Sequence, residues 1–186
     1  HHLLQAANLS PRDANVWSQL GQCLSLSGNM DQAQEAFQKC IALNPNHADA
    51  WTAMGYVRLM QGHASEAVEL HSRALALNPR HTSALFARGQ ARLLCGQLTE
   101  ALADFDAHLA ANPGDLEASS QRLLLLNYLP EKKENELLAE HLAWGKAAAK
   151  RAGKPASFPP GDPEKKLRVA FLSPDLRTHA VAFFLE

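Results

Sequence analysis

Polar and apolar positions along the first two thirds of the chain recur every 34 residues. Pro11, Pro45, Pro79 and Pro113 keep that interval, and Asn44, Asn78 and Asn112 precede the last three. Two glycine columns run in the same register, Gly21, Gly55 and Gly89 and then Gly28, Gly62 and Gly96, as does the column Ala33, Ala67 and Ala101. A fixed period of this length marks a stacked repeat. Gly28, Gly62 and Gly96 stand where a first helix must stop, because glycine enters the left-handed conformation at a helix C-terminus without a steric penalty. Asp31, Ser65 and Thr99 follow three residues later. Their side-chain oxygens are expected to accept from the free N–H groups that open a second helix, a contribution of about 1 kcal/mol each. The prolines end that second helix. Gly21, Gly55 and Gly89 fall mid-helix, where glycine costs about 1 kcal/mol against alanine, so the pattern predicts a second helix in close approach. Two antiparallel helices per repeat, stacked as a solenoid, follow.

The pattern changes beyond the repeats. DLEASSQRLLLLNYLP is apolar at helical spacing, and ENELLAEHLAWGKAAAK carries Leu137, Leu138, His141, Leu142 and Trp144 on or near one stripe. Over residues 116–150 these two helices are expected to cover the open end of the solenoid. Residues 151–166, RAGKPASFPPGDPEKK, lose all periodicity and read as a connector. From Leu167, LRVAFL reads as a buried strand, SPD as a turn and HAVAFFLE as the start of a helix. Strand, turn and helix in that order open a Rossmann-like half. No glycine-rich fingerprint follows the strand, so dinucleotide binding has no support. Asp175, Thr178 and His179 would stand at the strand's end, where α/β sheets place their ligands.

Composition narrows the function classes. The net charge is -1 and the chain is 46% apolar, which gives no electrostatic reason to expect nucleic acid, whose binding normally needs a basic face to neutralise phosphates. No apolar run approaches the length of about 20 residues that spans a bilayer, and no leading signal-peptide pattern is present; the expected location is cytoplasmic. Cys23, Cys40 and Cys95 are odd in number and far apart, which predicts packed reduced thiols in place of a disulfide or a zinc site.

The periodic columns resemble the tetratricopeptide repeat, in three copies over residues 14–47, 48–81 and 82–115, with residues 1–13 the end of a preceding one. Trp17, Trp51 and Leu85 match the family's large residue early in the first helix. Leu20-Gly21, Met54-Gly55 and, less well, Arg88-Gly89 match its Leu-Gly pair. The second-helix aromatic is Phe37 and Phe105 but His71 in the middle copy, and the small residue after it is Cys40, Ala74 and then His108. His71 and His108 are therefore expected as satisfied, partly buried histidines. His47 and His81 share an inter-repeat turn position and imply no metal site. The resemblance implies a right-handed superhelix whose first helices build a concave face for protein or peptide. Its facing positions would be Asn15, Ser18 and Gln22, then Asp49, Thr52 and Tyr56, then Ser83, Phe86 and Gln90. That set is polar with two aromatics and lacks the Lys and Arg clamp that takes a C-terminal carboxylate. A binding face and an ordinary solvated face are both compatible with it.

The segment VAFLSPDLRTHAVAFFLE resembles the first strand and loop of the catalytic region in the O-linked N-acetylglucosamine transferase family, SPINDLY-like bacterial proteins included. Ser173, Asp175, Leu176 and His179 match its pattern, with Leu176 in place of the usual aromatic. Ala180 and Phe183 stand where many members carry a proline and a second histidine. LLLLNYLPEKK and AEHLAWGK are similar to the family's helical link. The resemblance implies a mainly α chain followed by the first strand and helix of a truncated Rossmann-like (GT-B) α/β domain. It implies inverting transfer of N-acetylglucosamine from UDP-N-acetylglucosamine to Ser or Thr hydroxyls, with His179 and Asp175 in the catalytic region and His179 a base or a positioning group. Such a two-domain transferase needs roughly 200 to 300 further residues, so the 186-residue chain alone is expected to hold no cofactor and to bind no UDP. The rival reading is a non-catalytic repeat adaptor whose last twenty residues dock on its own solenoid. A relative that moves another sugar is a third.

Overall fold

Helices account for all the regular structure in the computed structural model, which describes residues 2–129 and 133–152. Among the described residues the order is α1 (His2–Leu9), α2 (Ala14–Leu26), α3 (Met30–Leu43), α4 (Ala48–Met60), α5 (Ala64–Leu77), α6 (Thr82–Leu94), α7 (Leu98–Ala111), α8 (Leu116–Leu126) and α9 (Glu134–Ala152). No strand occurs among them. The connector, the strand expected from Leu167, and Asp175 and His179 lie outside the described residues.

Helices α2 and α3, α4 and α5, and α6 and α7 form three hairpins, each packed on the next, with α1 against α2. Each hairpin turns at a glycine in the left-handed region, with φ of +79° at Gly28, +85° at Gly62 and +74° at Gly96. The chain closes over that turn by donating the Asn29 amide to Leu24 O at 2.9 Å, and His63 and Gln97 repeat the bond. This tight closure corrects one expectation. The second helices begin at Met30, Ala64 and Leu98, so Asp31, Ser65 and Thr99 already lie inside the first turn, and the residues before these helices make no side-chain cap. Asp31 instead accepts from Gln61 Nε2 of the next repeat at 3.0 Å. Side-chain caps appear at the first helices, from Asp13 to Asn15 N, from His47 to Ala50 N and from Asp115 to Glu117 N and Ala118 N.

The mid-helix glycines do what their cost predicts. A Cβ on Gly21 would lie 2.6 Å from Phe37 Cε1, one on Gly55 2.6 Å from His71 Cε1, and one on Gly89 2.8 Å from Phe105 Cε1. Each second helix therefore seats a ring directly on the backbone of the first. Phe37, His71 and Phe105 are all fully buried there. Trp17 and Trp51 fix each first helix to the preceding turn, donating from Nε1 to Pro11 O at 2.9 Å and Pro45 O at 2.8 Å.

The 34-residue register continues into α8. Asp115 caps it from the column of His47 and His81, and Ala118 is buried in the column of Ala50 and Ala84. Helix α8 is thus the first helix of a fourth repeat, but Leu123 occupies the glycine position and is itself buried. Helix α9 is not close-packed on α8. They are joined by Arg122 to Glu140 at 2.6 Å and by Trp144 Nε1 to Leu116 O at 3.1 Å. The expected apolar stripe of α9 is largely open, with Leu138, His141 and Leu142 exposed and only Leu137 and Trp144 partly covered.

Candidate peptide-binding groove

The first helices of the hairpins line a groove of about 720 Å³, to which α2, α4, α6 and α8 all contribute. Seven of the nine positions expected on the concave face line it. They are Gln22 from α2, Asp49, Thr52 and Tyr56 from α4, and Ser83, Phe86 and Gln90 from α6. Asn15 and Ser18 do not line it. Ser18 is buried against the hairpin's own core, and Asn15 is an exposed residue whose amide N–H is taken by the Asp13 cap. Repeat one is therefore represented by the C-terminal half of α2, where Ser25 and Leu26 join Gln22.

Among the groove residues that were not foreseen, two are ionisable. Glu117 enters from α8 because that helix continues the register of Asp49 and Ser83. His81 turns inward from the α6 cap position, with Nε2 2.9 Å from Asp49 Oδ1 and 3.5 Å from Thr52 Oγ1. His47, in the same column, instead uses Nδ1 to accept from Ala50 N at 3.2 Å. Shared position thus did not give the two histidines a shared role. The signal that could have found His81 is the carboxylate one repeat upstream, where the other copies carry Asn15 and Ser83.

Chemically the groove offers amides, hydroxyls, two aromatic faces, two carboxylates and an imidazole, and no Lys or Arg lines it. Side-chain amides and hydroxyls can satisfy the backbone of an extended chain, and half-exposed Tyr56 with partly covered Phe86 gives apolar contact. No group of three or more His, Cys, Asp or Glu among the described residues could hold a metal. The three cysteines are free. Cys40 is buried as expected, whereas Cys23 is exposed.

Behind the groove lies a buried polar cluster in place of apolar packing. Arg88 stands in the column of Leu20 and Met54, and it reaches Asp104 in bidentate fashion, at 2.9 Å from Nε and 2.6 Å from Nη2. Arg92 Nη1 donates to the same carboxylate at 2.6 Å, and Arg88 Nη1 to Ser72 Oγ at 3.2 Å. Asp104 occupies the column of Ala36 and Leu70, so the departure at Arg88 is matched by one in the helix facing it. The two expected histidines differ. His108 is satisfied, with Nδ1 2.8 Å from Thr82 O and Nε2 2.9 Å from Asp115 Oδ2. The Ala118 amide, helped by the His108 ring, holds the Asp115 carboxyl below its usual range. His71 is fully buried, yet neither ring nitrogen has a hydrogen-bond partner. Burial, reinforced by the Arg88 charge, pushes its pKa down to about 4.

Known proteins resemble this chain through its repeats. A family model described as the cilia and flagella-associated protein 70 middle TPR-like domain matches residues 1–72, and one described as a tetratricopeptide repeat matches residues 52–115. A probable UDP-N-acetylglucosamine–peptide N-acetylglucosaminyltransferase SPINDLY from Hordeum vulgare is 34% identical over 70 residues, covering 37% of this chain and 7% of the relative. The chain thus matches less than a tenth of the length of that relative. Among solved structures, a mutant Thermobaculum terrenum O-GlcNAc transferase superposes with a TM-score of 0.75 at 23% identity, over 92% of this chain and 33% of that one. MamA superposes with a TM-score of 0.73 at 19% identity, over 82% and 88% of the two chains. The first repeat domain of Spaghetti, bound to an HSP90 peptide, gives 0.61 at 24% identity, over 62% and 91%. At these identities the superpositions establish the fold. The chain thus carries tetratricopeptide-type repeats, and 70 of its residues are similar to the SPINDLY-type N-acetylglucosaminyltransferases.

Proposed function

We propose that the groove recognises protein or peptide segments and that the solenoid is the substrate-recognition arm of a protein O-GlcNAc transferase-like enzyme. The observation that carries this reading is the groove itself. Polar side chains and two aromatics from three successive first helices converge there on open space, in a fold that holds a peptide in one structural neighbour. The likeness of the repeats to those of SPINDLY proteins supplies the transferase side. In this reading the donor is UDP-N-acetylglucosamine and the acceptors are Ser or Thr hydroxyls. Transfer requires groups that neutralise the leaving diphosphate and a route for the hydroxyl proton. Asp175 and His179 are the positions in this chain proposed for that region, His179 as base or positioning group because imidazole trades protons near neutrality.

The test uses the intact gene product with radiolabelled UDP-N-acetylglucosamine and a mixed protein acceptor pool. Label should enter protein, and Tyr56→Ala with Phe86→Ala should cut that labelling by about tenfold while leaving transfer to a short free peptide nearly unchanged. Absence of transfer from this donor, with transfer from another nucleotide sugar, would replace the donor and keep the arm. Undiminished protein labelling by the groove variant would remove the arm.

A further inference from the structure

One register exposes a large apolar side chain in every repeat. Leu26, Met60, Leu94 and Tyr128 follow one another at 34-residue intervals, with 89, 56, 70 and 65% of their surfaces open. The first three end α2, α4 and α6, and Tyr128 follows α8. A single exposed leucine is ordinary, whereas the same register left open four times forms an apolar edge of the kind that marks an interaction surface. Leu26, the first of them, also lines the groove.

Spacing and charge together select an occupant. Helix α2 touches α4 and α4 touches α6, so Leu26, Met60 and Leu94 are separated in turn by roughly the 8 to 10 Å between packed helix axes. Same-face side chains of a β-strand recur at about 6.7 Å, or at about 13 Å if one is skipped, and match neither way. A polyproline II segment advances about 9 Å per three-residue turn, which brings every third side chain to the same edge. Its backbone makes no internal hydrogen bonds, leaving N–H and C=O groups for Gln22, Thr52 and Gln90 on the groove wall. Among the described residues the charged lining is Asp49 and Glu117, with no Lys or Arg, and Asp49 is 70% exposed despite its contact with His81. We propose that the groove and its apolar edge bind a segment of another protein in the polyproline II conformation, with an apolar side chain at every third position and Lys or Arg between. This rests on the recognition reading above and names its ligand class.

The experiment measures fluorescence anisotropy of short labelled peptides with the full chain. One peptide carries leucine at every third position with proline and arginine between, the second is an isomer with leucine at every second position, and the third replaces arginine by glutamate. The first should bind about tenfold more tightly than either of the others. Met60→Gln with Leu94→Gln should weaken the first by about fivefold at unchanged helical circular dichroism. Equal affinity for the two isomers, or no effect of the double variant, overturns the ladder, and equal affinity for the glutamate peptide overturns the charge match. In those cases weakened binding by Phe86→Ala shows that the recognition reading survives. No binding of any peptide at millimolar concentration overturns both.

Discussion

The hairpins of the three repeats and the α8–α9 pair share a register in their first helices and differ where the two helices should meet: Leu123 stands in the glycine column and Ala139 in the column of the buried rings. In the hairpins a glycine lets a ring from the second helix rest on the backbone of the first, at distances no Cβ would tolerate. In α8 that place is filled by Leu123, and α9 stands off, leaving a cleft of about 360 Å³ bordered by α7, α8 and α9. Helix propensity alone favours leucine over glycine by about 1 kcal/mol. Close packing of two helices is therefore the gain that offsets each glycine, and where the glycine is absent a repeat is begun but not closed.

Four changes would break or sharpen that contrast. The largest effect is expected from Asp104→Ala, which leaves Arg88 and Arg92 without their shared carboxylate. Breaking such a buried pair costs about 3 to 5 kcal/mol, read as a shift in urea midpoint. Installing Arg88→Met together with Asp104→Leu, the combination found as Met54 and Leu70 in repeat two, should recover most of the loss. If it does not, the cluster has a role beyond compensating for one departure in the apolar column. Next comes Gly89→Leu, which copies the α8 residue into α6. Overpacking against Phe105 should cost about 3 kcal/mol or more, and the amides of α7 should then exchange with solvent as readily as those of α9. Retained protection in α7 would show that the glycine column is not what closes a pair.

The third prediction concerns acid. His71 has a folded pKa of about 4 against an ordinary 6.5, so the unfolded chain takes up the proton first as pH falls. Stability from this group is complete above about pH 6.5 and declines towards pH 4, by up to about 3 kcal/mol. The substitution His71→Phe restores the residue type of Phe37 and Phe105 and should flatten that part of the stability profile. An unchanged slope would place the acid sensitivity elsewhere. The smallest effect belongs to Arg122→Ala, which removes partly exposed pairs to Asp106 and Glu140. A loss below about 1 kcal/mol is expected, with faster amide exchange confined to α9.

Most of the fold was legible because a 34-residue period constrains it many times over, and the glycines told where helices turn and where they touch. Seven of the concave-face positions that the family resemblance implied line the groove. What was not legible lay in departures that the structure pairs across helices. Arg88 and Asp104 each look like a flaw in a separate apolar column, and only the facing of α6 and α7 turns two flaws into an ion pair. Leu123 sits on the glycine column once the count is continued past the third repeat, and Ala139 on the ring column, so the open pair lacks both the glycine and the ring that the closed pairs bring together. His81 was hidden by its likeness to His47, since turn position does not say which way a ring points. The capping oxygens of Asp31, Ser65 and Thr99 were misplaced because a glycine turn closes faster than its residue count suggests. Asp175 and His179 lie outside the described residues and keep the standing of proposals.

Recognition along the groove and its edge has a built-in reporter. The chain contains three methionines; Met60 is on the exposed edge, while Met30 and Met54 pack against the core of the first two repeats. Methyl resonances of carbon-13-labelled methionine, followed while the cationic third-position peptide is added, should show Met60 moving and Met30 and Met54 nearly still. Movement of Met30 or Met54 with a fixed Met60 signal would contradict the account.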